Sequence, residues 1–134
     1  LPDKTDSHIE LEVTCAWITQ KGRILLAQRP ENRLWEMPGG KLEPDEELSD
    51  CLLRELNEEL GLKARIKAYL GRISHAQKNR TINLHCFHCL PGHIPPRARE
   101  HLQIAWFGPD EIKALNLCPA DRKMLKALAP LPLR

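Results

Sequence analysis

No stretch of these 134 residues comes near the roughly 18 consecutive apolar positions that a membrane-crossing helix requires, so no membrane partner is expected. Aromatic residues are scarce at 4%, and no basic stripe runs between them, which leaves no stacking platform for single-stranded nucleic acid. The net charge of +2 is too small to hold a polyanion by its field, and stable nucleic-acid binding is not expected. Five cysteines make an odd number without framework spacing, the pattern of a reduced, cytoplasmic protein. The opening LPDKTDSHIE lacks both an initiator Met and the apolar core of a signal peptide. Residues 1–8 read as a flexible tail and residues 9–130 as one domain, with no repeats and no low-complexity segment. Nothing in the composition separates a monomer from a homodimer.

What the chain does have is concentrated acid. Gly39 to Leu62 holds eight carboxylates between a diglycine and a closing glycine. Asp45 after Pro44 reads as a helix N-cap and Gly61 as the residue that ends the helix, which spans about Glu46 to Leu60. Spacings of three and four stack Glu55, Glu58 and Glu59 on one ridge, with Leu53, Leu56 and Leu60 beside it facing a core. Like charges at that spacing weaken a helix, and a hard divalent cation, Mg²⁺ or Mn²⁺, is the usual remedy for carboxylates without thiolate partners. A solvated acidic helix would explain the charge but not the fixed glycines, the arginine or the closing Gly-Leu.

Those fixed positions are Gly40, Glu46, Arg54-Glu55-Leu56, Glu58-Glu59 and Gly61-Leu62, nine residues at set offsets. They match every position of the Nudix box, and the chain therefore resembles the Nudix hydrolases, with WEMPGG leading in and a Glu-to-Trp-Phe stretch downstream. The resemblance implies an α/β/α sandwich around a mixed sheet, the α/β class. Strand order in the sequence agrees: Ile9–Thr19 and Arg23–Gln28 as a hairpin, one or two strands over 63–75, a strand over 80–90, a proline-rich loop over 91–99, and an apolar strand ending at Phe107. Helices follow from Pro109 and over about Ala120–Ala129, the second stopped by Pro130.

The resemblance also implies chemistry. Glu55, Glu58 and Glu59 would bind metal with the Gly39 carbonyl, and Glu100, six residues before Trp106, corresponds to a loop glutamate of MutT-like members that reaches the metal or the attacking water. Arg54 would orient the carboxylates through a bidentate pair, and Glu46 would brace the loop or add an outer ligand to the metal. Gly39, Gly40 and Lys41 would border the substrate. Arg29, Met37, Arg80 and Asp121 stand where MutT-like enzymes face base, ribose or first phosphate with Arg, Phe, Arg and Asn. Met for Phe weakens a stack. Asp for Asn turns a donor–acceptor into an acceptor if it is ionised. The implied activity is metal-dependent hydrolysis of a nucleoside triphosphate to monophosphate and pyrophosphate. Oxidised dGTP leads because of the Arg-to-Arg framework, CTP follows because of the Pro-Ala-Asp turn, and an RNA 5′-end pyrophosphohydrolase or a non-enzymatic nucleotide-binding module are further alternatives. HCFHC at 85–89 invites zinc, but in a strand Cys86 and Cys89 point to opposite faces, so core cysteines are expected instead.

Overall fold

The computed structural model describes residues 8–134. The expected tail therefore lies outside the described residues except for His8, whose Nε2 is 2.7 Å from Thr81 Oγ1. Strands β1 (Ile9–Gln20), β2 (Arg23–Gln28), β3 (Trp35–Glu36) and β4 (Gly39–Lys41) precede helix α1 (Leu48–Leu60). Then come β5 (Arg65–Gln77), β6 (Arg80–Leu90), β7 (Gln103–Phe107), α2 (Pro109–Lys113) and α3 (Pro119–Ala127). The sheet runs β3-β2-β1-β6-β5, with β4 pairing to β1 and β7 to β2. β1 and β6 are parallel and the other pairs antiparallel, so the sheet is mixed.

β1 shows why both faces are covered. Cys15 and Trp17 join one apolar cluster, Ala16 and Ile18 the other, as the period of two dictates. Ile112 and Met124, from α2 and α3, pack on the first face; Leu52, Leu56 and Leu60 of α1 pack on the second. The result is the helix–sheet–helix layering that the resemblance implied. HCFHC follows the same rule: Cys86 enters the first cluster and Cys89 the second. His85 Nε2 meets Glu12 Oε1 at 2.9 Å, while His88 Nε2 lies 2.8 Å from Thr19 Oγ1. Both cysteines are core residues, as expected.

Four local expectations need correction. α1 begins at Leu48, two residues late, because Asp45 takes a left-handed φ of 64° and extended Glu47 precedes the first turn without a side-chain cap. The carboxylate of Glu46 is engaged elsewhere, on Arg54 and the Glu43 amide. Leu53 is only half-buried, whereas Cys51 and Leu52 are buried, Cys51 because its Sγ packs against Thr14 Oγ1 at 3.6 Å and the Lys41 carbonyl at 3.3 Å. α3 ends at Ala127, since the residue before Pro130 is pushed out of helical geometry. β3 and β4 were not expected, because Pro38 and two glycines argue against strands. Their ladders come from neighbours instead, Ala27↔Glu36 on β2 and Cys15↔Gly39 on β1. The helix stop is as expected: Gly61 has φ 66°, and its N–H donates to Asn57 O at 3.0 Å.

Candidate active site

The site grows from the contact between β4 and α1. A side chain on Gly40 would place its Cβ 2.3 Å from Cδ of Glu55. The glycine is thus the space into which the Glu55 carboxylate folds. Gly39 has φ 157°, and a Cβ there would lie 2.0 Å from Thr14 O. Ladder bonds run from Ala16 N to Pro38 O and from Leu42 N to Glu12 O. In an antiparallel pair the alternation then turns the N–H and C=O of Gly39 away from β1.

Arg54 organises the acids beside it. Its Nε and Nη2 donate to Oε2 and Oε1 of Glu46 at 2.8 and 3.0 Å, a bidentate pair. Nη1 donates to Glu55 Oε1 at 2.9 Å and Glu58 Oε2 at 3.2 Å, and Nη2 reaches Lys41 O at 3.3 Å. Arg54, helped by the Glu43 amide, holds the Glu46 carboxyl down to about 2. The 42–47 turn is thereby fastened to the helix.

The ridge glutamates differ in depth, and the helical angle explains it. Taking Leu52 as the centre of the buried face, Glu59 sits roughly 20° from it, Glu55 roughly 60° and Glu58 roughly 120°. Glu59 is 5% exposed, Glu55 intermediate and Glu58 exposed. Burial, followed by the charges of Glu55, Glu36 and Glu100, pushes the Glu59 carboxyl up to about 9, and its Oε2 has no hydrogen-bond partner. Glu55 is also pushed upward by burial, against the pull of Arg54. His101 lies over Glu59: its Nε2 donates to Glu36 Oε2 at 2.8 Å and stands 3.7 Å from Glu59 Oε1.

A cleft of about 410 Å³ opens beside these groups. Arg29, Met37, Gly39, Gly40, Lys41, Arg80 and Asp121 all border it, together with Glu59 and Glu100. Glu55, Glu58 and Arg54 do not. A larger hollow of about 750 Å³ at the far end of β1, by Lys21 and Arg65, contains none of the expected site residues. Met37 is buried in the core, and its N–H donates to Asp121 Oδ1 at 2.8 Å. Arg80 is steadied by Gln77, 2.6 Å from its Nε. Asp121 is 7% exposed; burial pushes its carboxyl up to about 7, with Glu36 adding to the rise and Met37 opposing it. It is therefore not a fixed acceptor, since near neutral pH a large share of molecules carries the proton and can donate.

The ridge trio does not converge on one point. Among the described residues, ligand atoms fall within 4.8 Å of one another at Glu36, Glu59 and His101, and at Glu36, Cys118 and Asp121. Glu36, His101 and Cys118 were missed by the sequence reading. Glu36 sits inside the quoted WEMPGG, His101 next to Glu100 and Cys118 next to the Pro-Ala-Asp turn, so adjacency was the signal. An orphaned buried carboxylate oxygen, an outward carbonyl and an acidic donor set fit a hard divalent cation.

This combination of layered fold, acidic helix and polar cleft is that of a hydrolase built around a metal-holding glutamate helix. The chain belongs to the NUDIX domain family, whose profile matches residues 9–128. Nudix hydrolases generally use a divalent metal. The chain is 41% identical to the CTP pyrophosphohydrolase of Escherichia coli (strain K12) over 125 residues, 90% of this chain and 93% of that one. It is 37% identical to the 8-oxo-dGTP diphosphatase of Proteus vulgaris over 89 residues, 63% of this chain and 77% of that one. The solution structure of the E. coli ORF135 protein superposes with a TM-score of 0.77 at 38% identity, covering 94% of this chain and 97% of that one.

Proposed function

We propose that the protein hydrolyses a cytidine-type nucleoside triphosphate to the monophosphate and pyrophosphate, with Mg²⁺ or Mn²⁺ at the glutamates. The observation that carries the reading is one cleft with Glu59 and Glu100 among its walls and the buried Asp121 among them too. The first group suits a polyphosphate–metal complex, and the second suits the edge of a base. Bound there, the cation would neutralise phosphate charge and lower the pKa of a coordinated water. The chain's own residues do the rest. Glu55, Glu58 and Glu59, with the Gly39 carbonyl and Glu100, would hold the cation. Arg54 fixes the first two carboxylates, and Arg29 and Lys41 offer positive charge toward the phosphates. A carboxylate of this set takes the proton from the attacking water. Asp121 accepts from an exocyclic amine, while Met37 and Arg80 flank the base.

The cytidine reading draws on the likeness to the E. coli CTP pyrophosphohydrolase over nine-tenths of the chain. Oxidised dGTP is the second reading, favoured by one observation. A carboxyl with its pKa near 7 can present a donor and an acceptor together, which suits a purine edge carrying both. A panel of CTP, dCTP, oxidised dGTP, dGTP and a triphosphorylated RNA, assayed for pyrophosphate release with Mg²⁺, tests both. The cytidine nucleotides are expected to lead in kcat/KM. A lead for oxidised dGTP selects the second reading, and a lead for the RNA defeats both.

A further inference from the structure

His101 has no place in the reading above, yet it sits between that site's two halves. The 97–102 segment is fastened to its surroundings by main-chain bonds: Arg97 N to Leu60 O at 2.9 Å, Arg99 N to Glu59 O at 3.1 Å and Leu102 N to Gln28 O at 2.8 Å. On that anchored segment Glu100 and Leu102 are exposed, while the His101 side chain turns inward and is 5% exposed. Its Nε2 donates to Glu36 and faces Glu59. Glu36 is shared by both clusters of converging ligand atoms, one with Glu59 and the other with Asp121. Its other oxygen, Oε1, is 4.0 Å from Arg29 Nε. Its neighbour Met37 bonds Asp121. A row thus runs from the metal-holding helix through His101 and Glu36 to Arg29 and the pocket of Asp121.

The physical need for a donor there is plain. Glu36 and Glu59 are two carboxyl groups in one enclosed place, and an N–H between them fixes Glu36 on its own side. It also keeps Glu36 from closing on Glu59, whose Oε2 has no protein partner and remains available to a cation. A side chain present for packing alone would be apolar. This one leaves its second ring nitrogen, Nδ1, buried without a partner. We propose that His101 is a positioning residue that holds Glu36 away from Glu59, so that Glu59 is free to bind the metal ion. It acts through these carboxylates and touches no substrate. The inference rests on the metal part of the proposed function and is independent of which base is bound.

Two variants test it. His101→Leu keeps bulk and removes the donor, whereas His101→Gln can set an amide N–H near the position of Nε2. Mn²⁺ binding is measured without nucleotide, by titration followed by electron paramagnetic resonance, alongside thermal melting and steady-state kinetics. His101→Leu is expected to weaken Mn²⁺ binding about 10- to 100-fold, the usual effect of losing an outer partner of a metal ligand. Its kcat is expected to fall at subsaturating metal and recover as metal is raised, with little change in KM for nucleotide. His101→Gln is expected to recover most of the binding, and both variants to melt near the wild type. Wild-type Mn²⁺ affinity in His101→Leu would overturn the proposal, as would equal loss in both variants. A nitrogen coupling to wild-type-bound Mn²⁺ in pulsed resonance would make His101 a ligand and overturn it too. A wild type that binds no Mn²⁺ defeats the parent reading and this one together, which separates that failure from the others.

Discussion

Asp121 shows what a single residue can and cannot disclose in a sequence. Its identity was legible, and so was its place at the start of α3. Its protonation was not, because that depends on burial and on Glu36, which reaches it from a different part of the chain. The carboxyl titrates near the usual 3.8 in the unfolded chain and near 7 in the fold. The folded state therefore holds the proton longer, and the stability this residue contributes is present at low pH and lost as the pH rises through that window. On the proposed reading the same proton would alter recognition. Above about pH 7 the residue only accepts, and below it one oxygen can donate. Asp121→Asn fixes a donor–acceptor pair at every pH. It is expected to redistribute kcat/KM among CTP, dGTP and oxidised dGTP by tenfold or more while leaving metal dependence alone. It should also remove any change in the CTP-to-oxidised-dGTP ratio between about pH 6 and about pH 8. Uniform scaling of all nucleotides would show that Asp121 does not read the base.

At the scale of elements, the long strands and the acidic helix were legible because their patterns are local. β6 runs over Arg80–Leu90 as the sequence indicated, and Gly61 ends α1. β3 and β4 were not legible, because two- and three-residue strands exist only through the pairing their neighbours offer. The role of Gly40 was equally hidden. The sequence marks the glycine as a box position bordering the substrate, but its hydrogen makes room for a carboxylate fifteen positions later. Gly40→Ala is therefore expected to cost activity more than stability. Its backbone requires no left-handed φ, and what the methyl strikes is the Glu55 carboxyl group, which can move aside. A fall in kcat of tenfold or more with a melting temperature within a few degrees of wild type is the expected outcome. Gly39→Ala should instead unfold or strongly destabilise the chain, since it meets the main chain of β1 at a φ that disfavours a side chain. If Gly40→Ala retains full activity, the packing of Glu55 against that glycine has no functional weight.

For the whole molecule, the decisive arrangement is that one helix serves both core and site. Leu52, Leu56 and Leu60 of α1 fill one of the two apolar clusters, and Glu59 projects from the middle of the same buried arc. On the proposed reading, cation binding at Glu59 would therefore act on global stability, and with a definite pH dependence. In the metal-free fold the Glu59 carboxyl keeps its proton up to about 9, against an ordinary value of 4.5. Metal-free stability accordingly falls as the pH rises between those values. A cation requires the ionised form, so its affinity rises over the same window, by up to about tenfold per pH unit. Two pH units then correspond to a 100-fold change in affinity and up to about 2.7 kcal/mol of added stabilisation at fixed free metal. For a domain of this size that is a difference of several degrees. Melting curves with and without Mg²⁺ at about pH 6 and about pH 8 are expected to show a clearly larger upward shift at the higher pH. Glu59→Gln should abolish that difference and flatten the metal-free slope as well, because the amide neither ionises nor must be stripped of a proton. Equal metal-induced shifts at both pH values in the wild type would mean that Glu59 is already ionised in the metal-free fold, and that its burial does not govern metal uptake.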